Sequence, residues 1–144
     1  MKKPPLILTN VLVFIISGAI AFIGVPLWVA YQGIDWAEIG AAIFLFYFTG
    51  MSITAGYHRL WSHKTYDANV VVRVILAIGG AMALQNSILH WSSDHRVHHR
   101  HVDDNDKDPY SAKKGLWFAH IGWMLREYQA KRYDDYSNCK DLQK

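Results

Sequence analysis

Two long stretches without a charge constrain this chain more than any other feature. None of Asp, Glu, Lys or Arg occurs from Pro4 to Ile34, or again from Ile39 to Tyr57. A helix needs roughly 20 apolar residues to cross the hydrocarbon core of a bilayer, and each run meets that length. The first span, about residues 6–31, reads LILTNVLVFIISGAIAFIGVPLWVAY, with Trp28 and Tyr31 at the end where amphipathic rings favour the interface. Pro26 is expected to kink it. The run is too long for the apolar core of a signal peptide and lacks a small-residue cleavage site. A turn from Tyr31 to Glu38, broken at Gly33, leads to the second span, about residues 39–57. The two form a helical hairpin. Lys2 and Lys3 precede it, Arg59 and Lys64 follow it, and the turn carries neither Lys nor Arg. The positive-inside bias therefore predicts both ends, and every histidine, on the cytoplasmic side.

The remaining residues have a different character. Apolar residues make up 51% of the 144 and charged ones only 19%, but nearly all the charge lies beyond His58. A mean hydropathy near zero thus averages a membrane half with a polar half. The fold class predicted is all-α: a two-span hairpin over residues 1–58, then interfacial or cytoplasmic helices over 59–144. The net charge of +3 is mildly basic, which suits an anionic membrane surface or an acidic substrate. Nucleic acid is not expected as a partner, since that reading wants a cationic stripe with stacking aromatics and no long apolar spans, and the spans are present. Cys139 is the only cysteine, so no intrachain disulfide forms and metal ligands would be histidines and carboxylates. Asn69 is expected to cap a third helix over about Val70–Leu89, interrupted by Arg73, Gly79, Gly80 and Gln85. Histidines on its two sides can act together only if it lies along the interface or re-enters. Residues 103–110, DDNDKDPY, read as a solvated loop, Leu116–Tyr128 as a short amphipathic helix, and the tail from Lys131 as polar, with no closing element.

Five of the eight histidines fall into two tight patterns: His58 with His63, and His95, His98 and His99. On a helix the second pattern stacks imidazoles on one face. The first does not, because five residues rotate about 140° around an α-helix. His58 and His63 thus either reach different metals or straddle a helix end. Imidazoles without thiolates suit zinc, copper, iron or nickel, and five beside membrane spans suggest a redox pair of metals rather than one structural ion. His90, His101 and His120 are read as packing, solvated and structural residues respectively.

The stretch Thr54-Ala-Gly-Tyr-His-Arg-Leu-Trp-Ser-His63 resembles the first histidine box of the acyl-CoA (delta-9-like) desaturases. Gln85-Asn86, Trp91 and Asp94-His-Arg-Val-His-His99 resemble the second, and Asp108-Pro-Tyr-Ser111 with Gly115–Trp123 the segment downstream. The resemblance runs in order from about residue 40 to 125. It implies two iron ions, with dioxygen as co-substrate, held by histidines from three boxes. His58, His63, His95, His98 and His99 match ligand positions. It further implies that Gln85 and Trp91 line the bend of an acyl tunnel, that Asn86 lies near the substrate, and that Asp94 lies near the thioester end of an acyl-CoA or other acyl carrier. Ser93 stands where the family often has arginine. Electrons would come from a cytochrome b5 or a ferredoxin-like protein, and the protein would sit among the lipids of the cell's inner membrane. The family's third box and last two spans have no counterpart here, so the resemblance implies an N-terminal part of the family domain. That part is expected to hold less than a full iron pair and to form no unsaturated product. A related di-iron hydroxylase and a non-catalytic metal or haem binder are the rival readings.

Overall fold

The computed structural model describes residues 3–128 and 135–143. Lys2 and the first residues of the expected polar tail, 131–134, lie outside the described residues. Among those described, the chain is helical throughout, apart from one isolated antiparallel bridge between Leu6 and Arg126.

The hairpin is present. Helix α1 spans Leu8–Gln32 and helix α2 spans Trp36–Ser62. At roughly 1.5 Å per residue both exceed the 30 Å or so of a hydrocarbon core. Apart from the buried last turns of α2, most of their side chains are exposed, as in Phe22, which is 84% exposed; in lipid that surface costs nothing. Pro26 does not break α1. The turn before it widens into a π-helical stretch at Ile20–Gly24, where the Val25 amide bonds back to the Ile20 carbonyl, and this slack accommodates the proline ring. Gly33 ends the helix at φ 80, a left-handed conformation that glycine adopts freely. Asp35 then caps α2, its carboxylate accepting from the Ala37 amide at 2.8 Å. Across the turn the Trp28 indole donates to Glu38 at 3.3 Å.

Two helices stand where one was expected. Helix α3 covers Val70–Met82 and is capped, as anticipated, by Asn69, which accepts from the Val72 amide. The chain then breaks. Leu84 and Asn86 both take positive φ, 55 and 69, and Ser87 caps a new helix, α4, over Ile88–Arg100. At about 20 Å, thirteen residues of α3 are too short to span a bilayer. Helix α3 packs instead along α2, where Gly79 and Gly80 admit Ser52 and the Tyr57 ring against bare backbone. Small residues of this kind let helices approach closely in a membrane. Tyr57, Leu60 and Trp61 form the buried core at this junction. In the 116–128 region the chain is helical over Phe118–Gly122 and Trp123–Leu125. It is tied to the N-terminal stretch by Ile7 donating to Leu125, Glu127 donating to Pro5, and Asn10 donating to Met124 at 2.7 Å.

The contact at Gly80 makes a sharp expectation. A Cβ there would lie 2.8 Å from Tyr57 Cδ1, and Tyr57 is itself wedged edge-on against Trp61 and Trp91. Gly80→Ala should therefore cost about 1–3 kcal/mol by overpacking, read by chemical unfolding in detergent micelles, whereas Gly40→Ala, with open space at its Cβ, should not destabilise.

Candidate metal centre

The end of α2 is not an ordinary α-helix. Ser52–Ser62 is π-helical, and the His63 amide bonds to the His58 carbonyl at 3.0 Å. A π turn pairs residue i with i+5, so the spacing that would separate two side chains on an α-helix aligns them here. The His58 and His63 rings lie 4.5 Å apart. His63 is the residue just past the end of α2, so the pair straddles that helix end, one of the two alternatives that the spacing left open.

Helix α4 brings His95 and His99 onto the same point, their rings 4.5 Å apart. One ligand nitrogen from each of His58, His63, His95 and His99 falls within 4.8 Å of the other three. The Nε2 atoms of His63 and His95 face each other at 3.1 Å. Two imidazoles on one ion, at bonds of roughly 2.0–2.1 Å, would lie about 2.9–3.4 Å apart, and the widest pair on a single shell about 4.2 Å. The donor set therefore fits a metal ion after a small inward closure. Burial, and then the neighbouring His99, His58, His63 and His98, push the pKa of His95 down to about 3. His95 is thus neutral at physiological pH, with a lone pair to give, as ligation requires.

His98, the fifth expected ligand, sits beside this group rather than in it. Its Nδ1 lies 2.9 Å from Asp108 and its ring packs 4.4 Å from that of Tyr110. The segment read as a solvated loop is thus anchored: Asp108 and Ser111 are fully buried. Burial would raise the Asp108 carboxyl, but bonds from His98 and from the Asp103 and Tyr110 amides outweigh it and hold the group below its usual range.

Of the expected substrate residues, Trp91 lies directly against the cluster. Trp91 stacks on His95 at 4.7 Å, nearly parallel, and its indole donates to Gln85 at 3.0 Å. The Asn86 carbonyl accepts from the Tyr57 hydroxyl. Asp94 pairs with His90 at 3.5 Å, and His90 also meets the Tyr136 hydroxyl. His101 is half-buried at the end of α4, and His120 is exposed.

One residue of the second box was overlooked in the sequence. Arg96, between the histidines, donates to the carbonyls of Trp61 and Ser62 at the end of α2, to that of Asn138, and bidentately to Asp141 at 2.8 and 3.0 Å. It joins both boxes to Ser137–Leu142, a 3₁₀ segment that closes over α4 while Asn138 exchanges two hydrogen bonds with Ser93. The tail therefore does have a closing element. Its only sequence signal is an arginine flanked by metal-type ligands.

Two helices long and apolar enough to cross a membrane, with histidines at the end of one meeting those of a shorter helix, define a helical membrane protein with a polyhistidine cluster that could hold a metal. A sequence model of the fatty acid desaturase family matches residues 34–144. The chain is 56% identical over 84 residues to a probable acyl-CoA desaturase of Schizosaccharomyces pombe, covering 58% of this chain and 17% of that protein. It is 38% identical over 125 residues to an acyl-CoA desaturase of Cyprinus carpio, covering 85% and 37%, and 49% identical over 84 residues to stearoyl-CoA desaturase 5 of Bos taurus, covering 58% and 25%. This chain belongs to the fatty acid desaturase family. It spans well under half the length of these relatives.

The Arg96 fork generates the next expectation. Its hydrogen bonds to Asp141 hold that carboxyl well below the ordinary carboxylate range. A depressed pKa contributes stability that is present above the unfolded value, about 4, and is lost as pH falls through the folded one. Arg96→Lys should lose the bidentate geometry and expose Ser137–Leu142 to amide exchange at neutral pH. In the unaltered chain the same segment should stay protected to below about pH 4.

Proposed function

We propose that this chain supplies the first two histidine boxes of an oxygen-dependent acyl-CoA desaturase, which introduces a cis double bond into a saturated acyl chain at a pair of iron ions. The observation that carries the reading is the convergence of four imidazole nitrogens, from two separate boxes, on one point beside a membrane hairpin. His58, His63, His95, His98 and His99 would hold the iron. When bound, iron with dioxygen supplies the oxidising power for unactivated methylenes, which no side chain possesses.

The residues of this chain bind, orient and exclude water. Trp91, fixed by Gln85 and stacked on His95, would give the acyl chain an apolar wall beside the metal-binding nitrogens. Asn86, whose main-chain carbonyl accepts from Tyr57, would lie near the substrate, and Asp94 would lie near the thioester end of an acyl-CoA or similar carrier. Residues 1–58 act as the membrane hairpin and 59–144 as the metal-binding region. Both chain ends and the histidines would lie on the cytoplasmic face of the inner membrane, where an acidic electron donor such as cytochrome b5 or a ferredoxin-like protein can reach the basic surface.

A chimera in which this chain replaces the matching 125 residues of the carp protein should form monounsaturated acyl chains, detected by gas chromatography. His58→Ala, His63→Ala, His95→Ala or His99→Ala should each abolish them, and His101→Ala should leave most of the product. A well-expressed, iron-loaded chimera without product would contradict the reading. For orientation, Ile34→Cys in the hairpin turn should react with an impermeant maleimide applied to intact cells, and Lys107→Cys should not. Equal labelling would contradict the hairpin's direction.

A further inference from the structure

The loop after α4 carries a carboxylate that is hard to explain as packing. Asp108 is 0% exposed, in a stretch otherwise rich in solvated acids. Burying an ionised carboxylate is costly unless its oxygens are fully bonded. Here they are: Oδ2 accepts from the Asp103 amide at 2.9 Å, and Oδ1 from the Tyr110 amide at 3.1 Å and from His98 Nδ1 at 2.9 Å. An ionised carboxylate only accepts, so His98 carries a proton on Nδ1, and in the neutral ring that tautomer leaves the lone pair on Nε2. Two residues on, the Tyr110 hydroxyl meets His95 Nδ1 at 3.3 Å, while His95 Nε2 faces His63. The same short turn thus holds the outward nitrogen of two histidines and leaves the inward one of each for a metal. Its shape is itself set by the carboxylate, which bonds the amide of Asp103, a residue at φ 62.

We propose that Asp108 and Tyr110 are positioning residues of the metal centre, fixing the Nδ1 atoms of His98 and His95 so that their Nε2 atoms point at the bound metal. The inference rests on the metal-centre reading above. It assigns His98, which stands apart from the four converging nitrogens, a defined protonation state and a ligating atom. Outer partners of this kind typically tune metal affinity by 10–100-fold.

The test is Co²⁺ binding to the purified 144-residue chain in lipid nanodiscs, followed by the visible absorption of the cobalt–imidazole site. Asp108→Asn should weaken Co²⁺ binding at least tenfold in the unaltered background and by less than twofold in a His98→Ala background, because the carboxylate acts through that imidazole. Equal weakening in both backgrounds would show a structural role only and overturn the proposal. Tyr110→Phe keeps the ring and deletes only the hydroxyl, so it serves if Asp108→Asn misfolds. Several-fold weaker binding is expected there, and unchanged binding would overturn the proposal. If the unaltered chain takes up no Co²⁺, the metal-centre reading falls and the inference with it. If it binds Co²⁺ and Asp108→Asn binds it equally well, only the inference falls.

Discussion

The arrangement depends on one hydrogen-bond register. Because the His63 amide reaches back five residues to His58 rather than four, α2 ends in a widened helix whose side chains repeat every fifth position. With the usual register His58 and His63 would diverge by about 140°. The widening also presents the last carbonyls of α2, those of Trp61 and Ser62, in a direction where Arg96 can collect them. The unpaired acceptors of a helix end, which need partners when buried, are thus satisfied by the element that must be held closest.

Arg96 therefore acts as the bolt between the two boxes. Its guanidinium is planar and presents its donors in a fixed fork, so satisfying two α2 carbonyls, the Asn138 carbonyl and the Asp141 carboxylate together leaves α4 little freedom to slide. The Ser62 and Ser92 hydroxyls meet at 3.1 Å in the same seam, and small side chains there allow the close approach. The converging imidazoles inherit their spacing from this scaffold.

Much of this was legible in the sequence, and what was not had physical reasons. The spans announce themselves through uncharged length, and the Asn69 cap through its position before an apolar run. The i, i+4 histidines follow from helical geometry. The π register was hidden because spacing arguments assume 3.6 residues per turn, and no residue type marks the exception. The break after Met82 was hidden because Leu84 takes a left-handed conformation without glycine or proline to signal it. Asp108 was lost among four acids in a polar stretch, where composition argues for solvent and only three-dimensional bonding reveals burial. The tail's docking rests largely on an arginine whose neighbours suggested metal chemistry instead.

The pairing of the N-terminal stretch with residues 124–127 bears on how the chain is made. Asn10 is a carboxamide inside an otherwise apolar span, and the Met124 carbonyl that its amide reaches is 114 residues away. At synthesis rates of roughly 5–20 residues per second, α1 waits about 6–23 s in the nascent chain before that acceptor exists. During that interval the amide must be solvated by water at the bilayer edge or shared with the translocation machinery, since hydrocarbon offers it nothing. The first span to be translated thus makes this hydrogen bond only after the last helical stretch before Arg126 has been synthesised.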